Sequence, residues 1–445
     1  MSEDRRAFST ALLVILASAL ALVPSWLNYD IIANDGAFQY IPVAELFLQG
    51  RFKDAFLTPQ LPLFPLAIAG VSALTGLDPE LSGRMVAAIA FIIAALGVYR
   101  LGMLTTKQRW MALLAVLFMI TNRELVEDSV DCLKESLLMA FILWGNVFIL
   151  RWVEERRLWQ LSVGIFLLLS GGLLRSTALF FIGAWLILWA FHQRRGMALR
   201  VGLIASPAVV VLLLWFIDPT LPIFIRSYNL GLILKPEHTP LFLLTAAGKT
   251  INEFLVTGNP VVMLFAFAGL YWMRAGVYAR QAMVVLLIYL LIMTMWGHVF
   301  SGRYLLAPIV WLYPLAAYSV HAAWKSRRMI WKTCAVLAVL SCVALWVYQA
   351  QIPPDKDKLA RKDAGQWILA QIGPGQEIMS NRMRLVFYAK GVPVHLEKIK
   401  PHGPYPCIAV DVDTDDGRRF KARWDKAGLR SDKVFRTIHV YLPKS

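Results

Sequence analysis

The chain has 445 residues, of which 58% are hydrophobic and 16 are Trp, and its mean hydropathy is +0.57. That is more apolar than a soluble globular domain carries, so the composition excludes one and reads as a polytopic membrane protein. A net charge of +16 invites a nucleic-acid partner, but the positions of the cations, taken up below, assign most of it to membrane flanks.

The first apolar run, residues 8–27, has roughly the 20 residues needed to cross a hydrocarbon core and no small-residue cleavage site, so it reads as a retained signal anchor. Just beyond it, Asn34-Asp35-Gly36-Ala37-Phe38-Gln39-Tyr40 leads into a short amphipathic segment that stops at Gly50. Further spans are predicted at 85–104, 110–121, 133–152, 158–174, 177–192, 199–217, 259–273, 282–297, 305–321 and 329–348. With the first run they make roughly eleven.

Short cytoplasmic loops hold more Lys and Arg than outer loops do, and the cations here alternate. One side carries Arg5, Arg6, Arg100, Lys107, Arg109, Arg151, Arg156, Arg157, Arg194, Arg195, Arg200, Arg274, Arg280, Lys325, Arg327, Arg328 and Lys332. Those seventeen face only Glu3, Asp4, Glu154 and Glu155, and so account for thirteen of the sixteen net charges. The N-terminus is therefore expected in the cytoplasm and the C-terminus outside. This alternation requires the stretch 61–76, which begins Leu61-Pro62-Leu63-Phe64-Pro65, to lie along or dip into the outer face rather than cross. The first outer loop then runs from 28 to about 84, a length more often functional than idle.

Residues 1–351 form the predicted membrane domain and 352–445 a small extracytoplasmic α/β domain after the Pro353-Pro354 hinge. In the latter, helices are expected at 357–372 and 418–427, and strands at 392–396, 407–412 and 434–442. It shows no nucleic-acid motif. The four cysteines are too few for a disulfide framework. Cys334 and Cys342 lie inside the last span, and Cys132 and Cys407, both outside, read as unpaired small residues. No Cys or His spacing suggests a metal site.

Ionisable residues gather in the outer loops, where water, headgroups and protein meet. Asp35 opens the first, and Glu124, Glu127, Asp128, Asp131, Lys134 and Glu135 crowd the second. Lys134 and Glu135 fall at the headgroup level, where an unpaired charge costs about 2–3 kcal/mol. Arg175 follows Gly171-Gly172 at the tip of a helical hairpin, and Arg303 precedes Tyr304 and a span containing Pro308. Both arginines suit phosphate. Each has a structural alternative: an Asp before Gly is ordinarily a turn residue, the acidic run suits a helix N-terminus, and Arg175 can snorkel to the headgroups. The combination on one side favours function.

These residues resemble the GT-C membrane glycosyltransferases that use polyprenyl-phosphate sugars, in the branch of lipid A aminoarabinose transferases, protein mannosyltransferases and Rgt-type lipopolysaccharide glycosyltransferases. Asp35, Tyr40, Ala44 and Gly50 match the acidic start and membrane-parallel helix of the family's first outer loop. Pro62-Leu63-Phe64-Pro65, Gly76 and Arg84 match the segment that follows. Glu135 is similar to the second acidic residue at the head of the fourth span, with Asp128 or Asp131 as alternatives. Gly172 with Arg175, and Arg303-Tyr304 with Pro308, resemble the later motifs. The family's first motif is often Asp-Glu, whereas Gly36 follows Asp35 here.

The resemblance implies an all-α GT-C-like fold with membrane-parallel helices in the first outer loop. It also implies an inverting transfer from a polyprenyl-phosphate sugar to an envelope lipid, glycan or protein on the outer face of the inner membrane. Asp35 would be the general base and Glu135 its partner, while Arg303, Tyr304, Arg175, Arg84 and Lys134 would contact the donor phosphate. A divalent cation held by Asp35 and Glu135 is used by some members and not by others. Two other readings stay open: a lipid-linked polysaccharide polymerase or ligase, and a lipid or solute transporter. The transporter should carry mid-membrane charges or an internal repeat, and neither is seen. The loop 218–259 and the C-terminal domain are where specificity is expected, with Arg226, Tyr228, Lys235, Glu237 and His238 as contacts.

Overall fold

The computed structural model describes residues 3–29, 31–58, 61–192, 240–274, 276–296, 302–394, 407–426 and 431–442. The predicted span 199–217 and the loop residues Arg226, Tyr228, Lys235, Glu237 and His238 lie outside these. The chain divides into two compact units, one of residues 1–26 and 43–351, the other of residues 27–42 and 352–445.

The first unit is helical. It contains α1 (Glu3–Leu27), α2 (Ile41–Leu48, whose first two residues belong to the second unit), α3 (Phe52–Leu57), α4 (Leu63–Thr75), α5 (Pro79–Thr106), α6 (Arg109–Ile120), α7 (Arg123–Val130) and α8 (Glu135–Glu155). After these come α9 (Leu158–Gly172), α10 (Leu179–His192), α11 (Pro240–Thr257), α12 (Pro260–Trp272), α13 (Val277–Trp296), α14 (Leu306–Lys325) and α15 (Met329–Ala350). The ends obey local chemistry. Asp78 caps α5 by accepting from the Leu81 N–H at 3.1 Å, with Pro79 at the first helical position. Asn122 caps α7 by accepting from the Leu125 N–H at 3.0 Å. Small residues let helices approach: a Cβ on Gly164 of α9 would strike α8, and one on Gly269 of α12 would strike the α14 backbone.

Among the described residues, six helices are long and apolar enough to cross a membrane, seven if the bent pair α11–α12 counts as one. Ten of the predicted spans fall on helices. However, α6, α9, α10 and α12 have 12, 15, 14 and 13 residues, fewer than a perpendicular crossing needs. The stretch set apart as non-crossing is α4, an apolar helix packed on α5. The bundle is built around α14, 83% of whose apolar window is buried, against 17% for α15. One expectation needs correction, because 218–259 is not loop throughout: its last part is α11, which meets α12 at a bend of 107°. The bend is held by its own residues and by the cap of α7. Asn259 has φ 65° and accepts from the Val261 N–H, Pro260 starts α12, and the Asn122 side-chain amide donates to the Thr257 carbonyl at 2.6 Å.

The second unit is a three-layer α/β structure. It contains α16 (Lys356–Ile372), β1 (Glu377–Ser380), α17 (Met383–Tyr388), β2 (Val392–Val394), β3 (Cys407–Asp411), α18 (Asp415–Lys426), β4 (Lys433–Phe435) and β5 (Ile438–Tyr441). The sheet order is β2-β1-β3-β5-β4, parallel between β2, β1 and β3 and antiparallel beyond. Alternation along β3 makes both cores: Cys407 and Ala409 face Ala364 and Leu385 of the helices α16 and α17, while Ile408 and Val410 face Trp424 of α18. The predicted strand 434–442 is in fact the hairpin β4–β5, turning at Arg436 with φ 51°. All four cysteines are free.

Candidate active site

Four of the sequence-predicted residues converge in the first unit. Glu135 is the first residue of α8, where the helix dipole favours a carboxylate. Arg175 leaves the end of α9, its N–H bonded to the Gly171 carbonyl at 2.9 Å, just before a 3₁₀ turn at Ser176–Ala178. The hairpin brings Arg175 Nη2 to 2.9 Å from Glu135 Oε1, and the side chains are only 11% and 2% exposed. The Arg175 guanidinium lies 4.2 Å from the centre of the Tyr304 ring, and that of Arg303 lies 5.9 Å from it. Tyr304 thus collects both guanidiniums through its negative face. Arg303 and Tyr304 come from the 3₁₀ turn Gly302–Leu305 that opens α14.

Asp128, on α7, joins this cluster. Its Oδ2 is buried without a hydrogen-bond partner. Desolvation, then the charges of Glu135, Glu124 and Asp131, push its carboxyl well above the usual carboxylate range, against a smaller opposite pull from Arg303. Glu135 Oε2 is likewise buried without a hydrogen bond. A hydrogen bond between the Ser129 and Ser136 hydroxyls at 2.8 Å fixes α7 against the start of α8.

Asp131 points elsewhere, its Oδ1 accepting from the Cys132 N–H at 2.7 Å. Lys134 is half-buried at the cap of α8. Arg84 is engaged in packing: Nε donates to the Val130 carbonyl at 2.9 Å and the guanidinium stacks 4.2 Å from the Trp26 ring. A carboxylate that sequence reasoning missed, Glu253 of α11, reaches Gly302, where an added Cβ would fall on the Thr257 hydroxyl and the Glu253 carboxylate. Glu253 also raises the Glu124 carboxyl, after desolvation and Glu127. The signal was there in Thr239-Pro240 as a helix start and Gly258-Asn259-Pro260 as its stop.

Asp35 lies in the second unit, half-buried, at the start of a π-helical turn, Gly36–Tyr40, a form frequent at functional sites. Its segment is held by the C-terminal fold. The Ile32 N–H donates to the Tyr388 hydroxyl at 3.1 Å, Arg384 Nε donates to Asn34 Oδ1 at 2.7 Å, and Phe38 meets Phe387 edge-on.

Among the described residues no group of three or more His, Cys, Asp or Glu is placed to hold a metal ion. Glu135 Oε1 faces Arg175, and Asp131 Oδ1 accepts from backbone. What the cluster presents is a pair of stacked guanidiniums beside carboxylates with unused acceptor capacity.

The fold is that of the GT-C membrane glycosyltransferases. Residues 58–221 match the family model of dolichyl-phosphate-mannose-protein mannosyltransferases. The chain is similar to ArnT from Cupriavidus metallidurans bound to undecaprenyl phosphate, at 14% identity and TM-score 0.60 over 96% of this chain and 97% of that one. It is also similar to the oligosaccharyltransferase AglB from Archaeoglobus fulgidus in complex with an inhibitory peptide and a dolichol-phosphate. There the identity is 11% and the TM-score 0.57, over 95% of this chain and 72% of that one. No curated protein sequence matches.

Proposed function

We propose that this chain is an inverting glycosyltransferase. It moves a sugar from a polyprenyl-phosphate donor to a hydroxyl of an envelope lipid, glycan or protein on the extracytoplasmic face. The observation that carries the reading is the Glu135–Arg175–Tyr304–Arg303 cluster, because a phosphate leaving group needs pre-organised cations in a water-poor site. In the reaction the acceptor oxygen bonds to the anomeric carbon and the bond from that carbon to the phosphate oxygen breaks. The acceptor's proton passes to a carboxylate, a role we assign to Asp35. Arg175 and Arg303 take up the charge on the departing lipid phosphate. Glu135 holds Arg175 in place, Asp128 is the second carboxylate of the site, and Lys134 adds positive charge. The ArnT structure with undecaprenyl phosphate and the AglB structure with dolichol-phosphate support a lipid-linked donor.

In this reading residues 1–351 are the catalytic membrane domain and 352–445 an extracytoplasmic domain, with the N-terminus in the cytoplasm of a cell with an inner membrane. Transfer of an oligosaccharide en bloc is the second reading, favoured by the likeness to AglB. The test is transfer by the purified protein from polyprenyl-phosphate sugars, alone and in Asp35→Asn and Glu135→Gln variants. Both substitutions are expected to reduce turnover by about two orders of magnitude or more. Undiminished transfer by Asp35→Asn would remove the base from the mechanism, and absence of transfer from every monosaccharide donor, with activity on oligosaccharide donors, would favour the second reading.

A further inference from the structure

At the end of α8 opposite Glu135 lies a cavity of about 280 Å³ between α8, α9, α10 and α13. Twenty-one residues of helix, a rise of about 30 Å, separate the two ends. The cavity walls are apolar, with the indoles of Trp152, Trp185 and Trp189, and its polar rim is made by Arg156 and Arg280. Arg156 takes its place because it ends α8 with φ 60°, its N–H bonded to the Trp152 carbonyl at 2.8 Å, and its guanidinium lies 5.6 Å from the Trp152 ring centre.

The lining is cationic by construction. Among the described residues no acid lines the cavity, and the two nearest to Arg156 in sequence turn elsewhere: Glu154 Oε1 meets Lys107 Nζ at 2.7 Å, and Glu155 Oε2 accepts from Gln160 Nε2 at 2.8 Å. An apolar slot rimmed by indoles and arginines, between membrane helices and on the face that carries the chain's basic loops, has the chemistry that recognises an anionic phospholipid. The slot takes an acyl chain, the indoles sit at headgroup depth, and the guanidiniums contact the phosphodiester.

We propose that this cavity is a binding site for an anionic diacyl phospholipid, distinct from the Glu135 cluster and independent of the glycosyltransferase reading.

The experiment measures lipid retained by the purified full chain, by native mass spectrometry, after equilibration with equal amounts of phosphatidylglycerol and phosphatidylcholine of the same acyl length. The unmodified protein should retain phosphatidylglycerol preferentially, and R156Q/R280Q should lower that retention roughly tenfold. R327Q/R328Q removes the same charge from exposed positions outside the cavity and should leave retention unchanged. Leu186→Trp fills the slot without altering charge and should also abolish the preference. Equal retention of the two lipids, equal losses in the two double variants, or an unaltered preference in Leu186→Trp would each overturn the proposal. So would displacement of phosphatidylglycerol by undecaprenyl phosphate at equal concentration, which would make the site one for the donor lipid.

Discussion

Two buried carboxylates in this molecule face arginine and have opposite fates. Asp411, at the end of β3, is 1% exposed and has every need met: Arg382 Nε at 2.8 Å, Arg361 Nη2 at 3.2 Å, the Thr437 hydroxyl at 2.9 Å and the Asp413 N–H at 3.2 Å. Glu135 is 2% exposed with Arg175 on one oxygen, and both its other oxygen and Asp128 Oδ2 are buried without hydrogen bonds. A buried polar atom left unsatisfied costs about 1–3 kcal/mol, which selection tolerates where a ligand will complete the network. Saturation therefore marks the carboxylate that holds the fold, and unused capacity marks the one proposed above for the site.

The contrast breaks most visibly at the arginines. Arg303→Gln should lower turnover by about 10²–10³-fold, the cost of removing one transition-state donor, with little change in thermal midpoint. An unfolded variant would move Arg303 to the structural class. Asp411→Asn should do the reverse, destabilising the chain by about 3–5 kcal/mol because two arginines lose their counter-charge. Thermal denaturation of the full chain measures this, and loss of transfer without loss of stability would reverse the assignment.

Protonation separates the two next. Burial alone would raise the Asp411 carboxyl, but hydrogen bonds from the Asp413 N–H, Thr437 and Arg382, with the charge of Arg382, hold it below the usual carboxylate range. Its contribution is therefore full above about pH 4, the unfolded value, and is lost as pH falls through the lower folded value. Asp128 is shifted the other way, by burial first and then by the charges of Glu135, Glu124 and Asp131, so it holds its proton to higher pH than an exposed carboxylate does. Its ionisation on going alkaline should weaken binding of an anionic donor. KM should rise with pH in the unmodified enzyme and stay flat in Asp128→Asn; identical profiles would place the proton elsewhere. The smallest effect is expected from Tyr388→Phe, which removes the acceptor for the Ile32 N–H and about 1 kcal/mol of local stability. Faster amide exchange confined to the segment around Asp35 is the expected signature.

The helices were legible wherever hydropathy alone decides, which is why ten predicted spans fall on helices. The helix α11 was hidden because Lys249, Thr250, Asn252 and Glu253 make its surface read as loop, although a bend, not a polar composition, keeps it from continuing into α12. In the C-terminal unit β1 escaped notice at four residues, and the β4–β5 turn did so because Arg436 takes a left-handed conformation with no Gly or Pro to announce it. Site residues were recognisable one at a time from Gly-rich and Arg-Tyr contexts. Their pairing was not, since Glu135, Arg175 and Tyr304 meet only when α8, α9 and α14 pack, and a one-dimensional pattern carries no such distance. The attachment of the Asp35 segment to the C-terminal fold was equally invisible, resting on a tyrosine hydroxyl and an arginine far along the chain.

The short helices α6 and α12 both pack against α14. Their 12 and 13 residues rise only about 18–20 Å, against a hydrocarbon thickness of about 30 Å. Such hydrophobic mismatch is relieved by a thinner bilayer along that flank. A thinned flank biases the protein toward thinner membranes.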